Sequence, residues 1–176
     1  MASLDHVPLC GYGSLLAVMS RDLDSPLTAR ERAAVNAWLA SNASFHAMRD
    51  HPMHGTAMLG GMWGFRPPLD PVISRSLHEK IHNRPLVARY GGTGDQTFLS
   101  NEVWPHAKDH ALVHDSFLCM NGYGKKPSAF PTQRPSANQS NCFVGCVRPC
   151  CAHGKMPFGH CPKQCRPSDH PDWLYC

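Results

Sequence analysis

The acidic pair Asp22-Leu23-Asp24 follows closely on the apolar run Leu15-Leu16-Ala17-Val18-Met19. Such a run reads as a buried, parallel strand, and an open α/β sheet holds its ligands at the carboxyl ends of its strands. Two carboxylates there supply hard oxygens that suit Mg2+ or Mn2+ carrying a diphosphate; helix capping by Asp24 or Ser25 is the competing use. Asp95-Gln96 opens a helical pattern behind the turn Gly91-Gly92-Thr93-Gly94. One carboxylate and one amide at that point would hydrogen-bond directionally to a sugar's hydroxyls or lie beside its reacting carbon, unless Asp95 serves only as an N-cap. His114 ends the run Ala111-Leu112-Val113, where its neutral nitrogen would join the same metal and Asp115 would bind or orient it; a lone histidine is more often structural.

Two further groups carry chemistry. Asp50-His51-x-x-His54 sets a carboxylate and two imidazoles within five residues, part of a zinc site for a metal-dependent hydrolase, but Pro52 rules out a regular helix that would put both rings on one face. Seven of the nine cysteines, Cys142, Cys146, Cys150, Cys151, Cys161, Cys165 and Cys176, fall in the last 35 residues. Paired Cys-x2-Cys knuckles are absent there, so disulfide staples are favoured over a Zn2+ site completed by His153, His160 or His170. The sequons Asn42-Ala43-Ser44 and Asn138-Gln139-Ser140 point with the cysteines to the secretory pathway, although no export signal is present.

These residues need elements to position them. Thr28-x-x-Glu31 is a capping box, and Ala34, Val35, Trp38 and Leu39 follow at helical spacing until Ser41-Asn42. Phe45 to Met48 and Thr56 to Leu59 read as short strands. Asp70-Pro71 starts a second helix carrying Ile73, Leu77 and Ile81, which ends near Asn83. A third helix runs from Asp95 through Phe98, Leu99 and Val103 and stops before Pro105. Strands alternating with helices imply a mostly parallel α/β sheet with flanking helices over residues 15–121, after a lead-in of 1–14. Residues 122–176, rich in Pro, Gly and Cys, read as loop and tail.

The 176 residues with 42% hydrophobic content allow one domain with a core and exclude collagen-like, coiled-coil and fully disordered chains. No apolar stretch reaches the ~20 residues of a membrane span. A net charge of +4 without Lys/Arg runs argues against nucleic acid as a partner.

Taken in order, these pieces resemble the metal-dependent glycosyltransferases of the nucleotide-diphospho-sugar transferase fold, especially retaining families such as glycogenin and the bacterial galactosyltransferases. The resemblance to a glycosyltransferase-like family spans roughly residues 15–118. It is carried by Arg21-Asp22-Leu23-Asp24-Ser25, the helix Arg30 to Val35 with Trp38-Leu39, Met48-Arg49-Asp50-His51-Pro52-x-His54, Leu59-Gly60-Gly61-Met62-Trp63-Gly64, Asp95-Gln96-x-Phe98-Leu99 and His114-Asp115-Ser116. It implies that Asp22, Asp24 and His114 hold Mn2+ or Mg2+ on the diphosphate of a nucleotide-sugar donor, with Asp95 and Gln96 beside the transferred sugar. Gly60 and Gly61 would admit the donor closely, and Arg21, Arg49 and Asp115 would complete its site. The acceptor is not indicated.

Only 21 residues precede Asp22, whereas strands forming a nucleotide pocket need on the order of a hundred. The expectation is a fragment or shortened homologue, incomplete or inactive as an enzyme. From another class, the alternative is a non-catalytic binding module whose Cys-rich tail is stapled by disulfides or chelates zinc.

Overall fold

A computed structural model of the chain describes residues 15–91, 94–120, 123–135, 142–147 and 159–176. The lead-in 1–14, Gly92, Thr93, Gly122, the sequon at Asn138, Cys150, Cys151 and His153 lie outside the described residues.

Four strands, β1 (Val18–Arg21), β2 (Phe45–Arg49), β3 (Met62–Phe65) and β4 (Ala111–Asp115), form one sheet in the order β1-β3-β2-β4. The sheet is mixed, which corrects the expectation of a mostly parallel one. β3 runs antiparallel to both β1 and β2, while β2 and β4 are parallel. β1, β2 and β4 therefore point the same way. Their carboxyl ends share one edge with the amino end of β3, so Asp22, Asp50, Asp115 and the Gly60-Gly61 turn gather along it.

The strand expected at Thr56–Leu59 forms instead at Met62–Phe65, just past Gly60-Gly61 and through Gly64. Gly64 is the reason it can: a Cβ there would sit 2.8 Å from the Trp38 ring, so the indole of the helix above occupies the space a side chain would need.

That helix, α1 (Ala29–Ala40), starts as its capping box predicts, with the Thr28 side chain accepting from Glu31 N. It covers one face of the sheet, where Ala34 packs with Met48, Met62, Phe130 and Val144. The other face, bearing Phe45, Ala47, Trp63, Phe65, Ala111 and Val113, packs on α2 (Pro71–His82), α3 (Arg84–Ala88) and a helical stretch running from Asp95 to His110. Asp70 caps α2 as expected, accepting from Ile73 N at 3.1 Å. α3 was not legible in advance; Asn83 caps it and Pro85 sits in its first turn.

The stretch from Asp95 does not stop before Pro105. It passes from α4 (Asp95–Phe98) into a π-helix (Leu99–Val103) and then α5 (Trp104–Ala107). The wider π turn re-registers the backbone bonding just ahead of the proline, which then falls in the first turn of α5, where its missing N–H costs nothing.

Beyond 122 the described residues hold one 3-10 turn, Lys163–Cys165, and a bridge from Ser128 to His114. They nevertheless complete the core: Phe130 and Val144 pack under α1, and Gly145, at φ +86°, lies against Met62. The disulfide Cys119–Cys165 staples residues 159–176 to the segment that follows β4, and Cys161–Cys176 closes those residues on themselves. Around them Phe117 and Trp173 make a small cluster of their own. Such bonds accord with an oxidising compartment. Among the described residues no helix is long and apolar enough to cross a membrane.

Candidate functional site

Asp22 is the first residue past β1, and Asp95 the first of α4. Both carboxylates come to the Gly60-Gly61 turn, which closes where Met62 N donates to Leu59 O at 3.1 Å. A Cβ on Gly61 would stand 2.2 Å from Asp22 Oδ2, and one on Gly60 would stand 2.8 Å from Asp95 Oδ2. Only glycine at both positions leaves room for two carboxylates this close to the backbone. Ser20 Oγ steadies the turn by donating to Gly60 O at 2.7 Å.

The electrostatics follow from that crowding. Partial burial first, then the charges of Asp24 and Asp95, push the Asp22 carboxyl above its ordinary range, and Arg21 pulls it the other way. Asp24 is exposed. Thr28 caps α1, so neither Asp24 nor Ser25 has that task. Asp95 is likewise not the N-cap of α4, a position Gly94 fills; its Oδ1 accepts from Gln96 N at 2.7 Å, and Gln96 is exposed.

The structure thus brings together Asp22, Gly60, Gly61 and Asp95, with Asp24 and Gln96 adjacent. Arg21 is next to them but committed elsewhere: its Nε donates to the Glu31 carboxylate, and Nη1 donates to Ser20 O at 2.6 Å and to Trp63 O at 3.1 Å. It pins β1 to α1 and β3.

His114, Arg49 and Asp115 are not brought to that group. β4 lies three strand spacings from β1, about 14 Å. His114 is buried and its Nδ1 lies 2.9 Å from His46 Nε2. Burial, then the Arg30 charge, takes the His114 imidazole down to about 4, and burial, then His114, takes His46 to about 2. Both are neutral near pH 7. Arg49 donates through Nε to Asp115 and through Nη1 to Ala57 O at 3.1 Å. Asp115 also accepts from Phe117 N and Leu118 N at 2.8 and 2.6 Å, so it closes the turn after β4.

The Asp50-His51-x-x-His54 group is a folded loop. His54 Nδ1 accepts from Asp50 N at 3.1 Å, His51 Nδ1 accepts from Met53 N at 3.0 Å, and Phe143 packs 4.6 Å from the His51 ring. Burial, then His51, holds His54 down to about 4. With each Nδ1 lone pair taken by the backbone, the pair is built for holding the loop rather than for the zinc hydrolase reading.

Sequence reasoning missed the hub at Asp50. Its carboxylate, fully buried, accepts from Arg30 Nε at 2.9 Å and Nη2 at 3.0 Å, from Ser116 Oγ at 2.7 Å and from Val144 N at 3.0 Å. α1, β2, β4 and the tail are joined there. The available signal was an aspartate directly following a wholly buried strand.

A cavity of about 630 Å3 lies between residues 126–131 and 164–173, lined among others by Asp115, Lys126, Phe130, Arg166, His170 and Trp173. Cys119 and Cys165, one disulfide, form part of its wall. A disulfide sulfur is no thiolate ligand, so these two cysteines and Cys161 and Cys176 do not serve Zn2+ in this form.

Among the described residues no group of three or more His, Cys, Asp or Glu side chains is arranged to hold a metal ion. Asp22, with the Asp24 charge acting on it, still fits a hard cation, because Mg2+ and ions like it are commonly held by one or two carboxylates, with waters and substrate phosphates filling the other positions. No protein-family model, curated protein or solved structure matches the chain.

Proposed function

We propose that the chain takes part in metal-dependent glycosyl transfer from a nucleotide-sugar donor. The observation that carries this reading is the meeting of Asp22 and Asp95, 73 residues apart in sequence, on consecutive glycines at the sheet's carboxyl edge. That edge is where open α/β sheets bind ligands.

In this reading Asp22 and Asp24 hold Mn2+ or Mg2+. The ion, when bound, supplies positive charge for the departing diphosphate. Asp95 and Gln96 accept and donate hydrogen bonds to the sugar's hydroxyls and hold its reacting carbon at the turn. The Gly60-Gly61 backbone forms the floor against which the donor lies. Burial first, then the charges of Asp24 and Asp95, raise the Asp22 carboxyl, and a divalent cation relieves the repulsion, so protons and metal compete for it. His114 has no part as a ligand in this reading, since β4 lies at the edge of the sheet opposite β1, three strand spacings away.

Titration of the purified chain with Mn2+ alone, followed by calorimetry, tests the assignment. Asp22→Asn and Asp24→Ala are expected to lose the binding step, and unchanged affinity in both would sink it.

The second reading, a binding module without catalysis, is favoured by one observation: the cavity beside the disulfides falls within the ~300–1,000 Å3 of small-molecule sites.

A further inference from the structure

Neither the edge site nor the core uses His78 and His82, and their surroundings are those of a metal ligand pair. They lie four residues apart in His78-Glu79-Lys80-Ile81-His82, in the last turn and a half of α2, so they share one face of that helix. Both are exposed. Their rings stand 4.2 Å apart between centroids at an interplanar angle of 31°.

The hydrogen bonding prepares the pair. His82 Nδ1 lies 2.8 Å from the His78 carbonyl oxygen. A carbonyl can only accept, so Nδ1 carries the proton and Nε2 presents its lone pair. Metal-binding histidines are commonly anchored this way, with the second ring nitrogen donating to a backbone carbonyl. Tetrahedral Zn–N bonds of 2.0–2.1 Å place two ligating nitrogens about 3.3 Å apart, a span that rings 4.2 Å apart can meet.

The local field is also favourable. The pair sits at the carboxyl end of α2, where the helix dipole favours cations. Lys80, between the two in sequence, is tied to Glu102, donating to its carboxylate at 2.8 Å and to its carbonyl at 3.0 Å.

We propose that His78 and His82 chelate a borderline divalent cation, Zn2+, Cu2+ or Ni2+, with water in the remaining positions. Imidazole nitrogen selects these ions, whereas the oxygens of Asp22 and Asp24 select Mg2+ or Mn2+. The two sites therefore discriminate between metals, and the chelate does not rest on the glycosyl-transfer reading. With no third protein ligand arranged beside the pair among the described residues, its role is chelation.

The test uses the whole oxidised chain, stripped with a chelator and titrated calorimetrically with ZnCl2 under excess Mg2+, which occupies the carboxylate site. His78→Ala and His82→Ala, both at exposed positions, are expected to keep the wild-type circular dichroism and each to weaken zinc binding at least tenfold. Electron paramagnetic resonance with one equivalent of Cu2+ gives a second reading: two nitrogen donors in the wild type and fewer in either variant. Zinc affinity within twofold of wild type in both variants, or a copper spectrum indifferent to them, overturns the assignment.

Discussion

The sharpest perturbation of the edge site is one that removes no functional group. In Gly61→Ala the new methyl would stand 2.2 Å from Asp22 Oδ2. Ordinary contact needs about 3.4 Å, so the carboxylate must retreat by about 1.2 Å. Backbone strain does not intervene, because the positive-φ glycines are Gly91, Gly124 and Gly145. Asp22 is exposed and can rotate outward, which keeps the fold's cost to about 1 kcal/mol or less. A displacement of this size exceeds the ~0.2 Å that a coordination sphere with bonds of 2.0–2.1 Å tolerates. Mn2+ affinity should fall at least tenfold, about 1.4 kcal/mol, with a melting temperature within a few degrees of wild type. Gly55→Ala, whose Cβ would meet nothing within 4 Å, is the control. Free Mn2+ measured by electron paramagnetic resonance reads the binding. If Gly61→Ala holds Mn2+ as tightly as Gly55→Ala does, the carboxylate at this turn is not a ligand and the edge site fails.

Asp50→Asn keeps the shape of the hub but leaves Arg30 buried with no counter-charge; urea unfolding should show a loss of about 3–5 kcal/mol, and a loss below about 1 kcal/mol would mean that the four bonds to Asp50 are not what joins α1 to the tail. His46 and His114 titrate at about 2 and about 4 in the fold against about 6.5 unfolded, so the unfolded chain binds more protons below pH 6.5. Their contribution is complete above pH 6.5 and is lost as pH falls toward 4 for His114 and toward 2 for His46, with about 2 kcal/mol from each gone by pH 5; equal urea midpoints at pH 7.5 and 5 would contradict their neutral burial. Reduction of Cys119–Cys165 and Cys161–Cys176 opens loops of 46 and 15 residues, worth about 4 and about 3 kcal/mol by chain entropy. Hydrogen exchange should then rise at the amides of Arg134 and Cys161, which donate to Tyr175 O and Leu174 O, while α1 stays protected; unchanged exchange at both would show that packing alone holds the tail.

How much of the fold was legible depended on how local its causes were. Thr28 and Asp70 cap their helices with side chains three residues from the amides they satisfy, and both starts were readable. β3 lies past the expected Thr56–Leu59, next to Gly60-Gly61 and holding Gly64, and glycine is depleted in strands. Gly64 is in fact a strand residue emptied to admit Trp38, 26 positions away, a cause invisible at short range. Pro105 was read as a stop because the rule for proline assumes α-helical bonding before it, and the π turn of Leu99–Val103 changes that bonding.

The site was legible to the extent that chain order stands in for sheet order. Asp-x-Asp, Gly-Gly and Asp-Gln are far apart in sequence, yet β3 lies next to β1, so their meeting follows from the antiparallel insertion. The same insertion separates what the reading had joined. A strand between β1 and β2 moves β4 out to the opposite edge, and with it His114, Arg49's partner Asp115, and the whole set of buried charges that tie the tail down. Type and spacing do not distinguish a carboxylate that waits for a cation from one already bound to arginine: Asp22 and Asp50 both follow a strand at the same edge. What separates them is the partner. Arg30 of α1 reaches Asp50 with two donors, whereas the neighbours that act on Asp22, burial apart, are two further carboxylates and an Arg21 whose donors go to Glu31, Ser20 and Trp63. A buried ion pair neutralises itself, while the repulsion within a cluster of like charges is relieved by a proton or an added cation. On that difference the edge beside Gly60-Gly61, and not the one beside Asp50 or Asp115, is the one proposed for the metal.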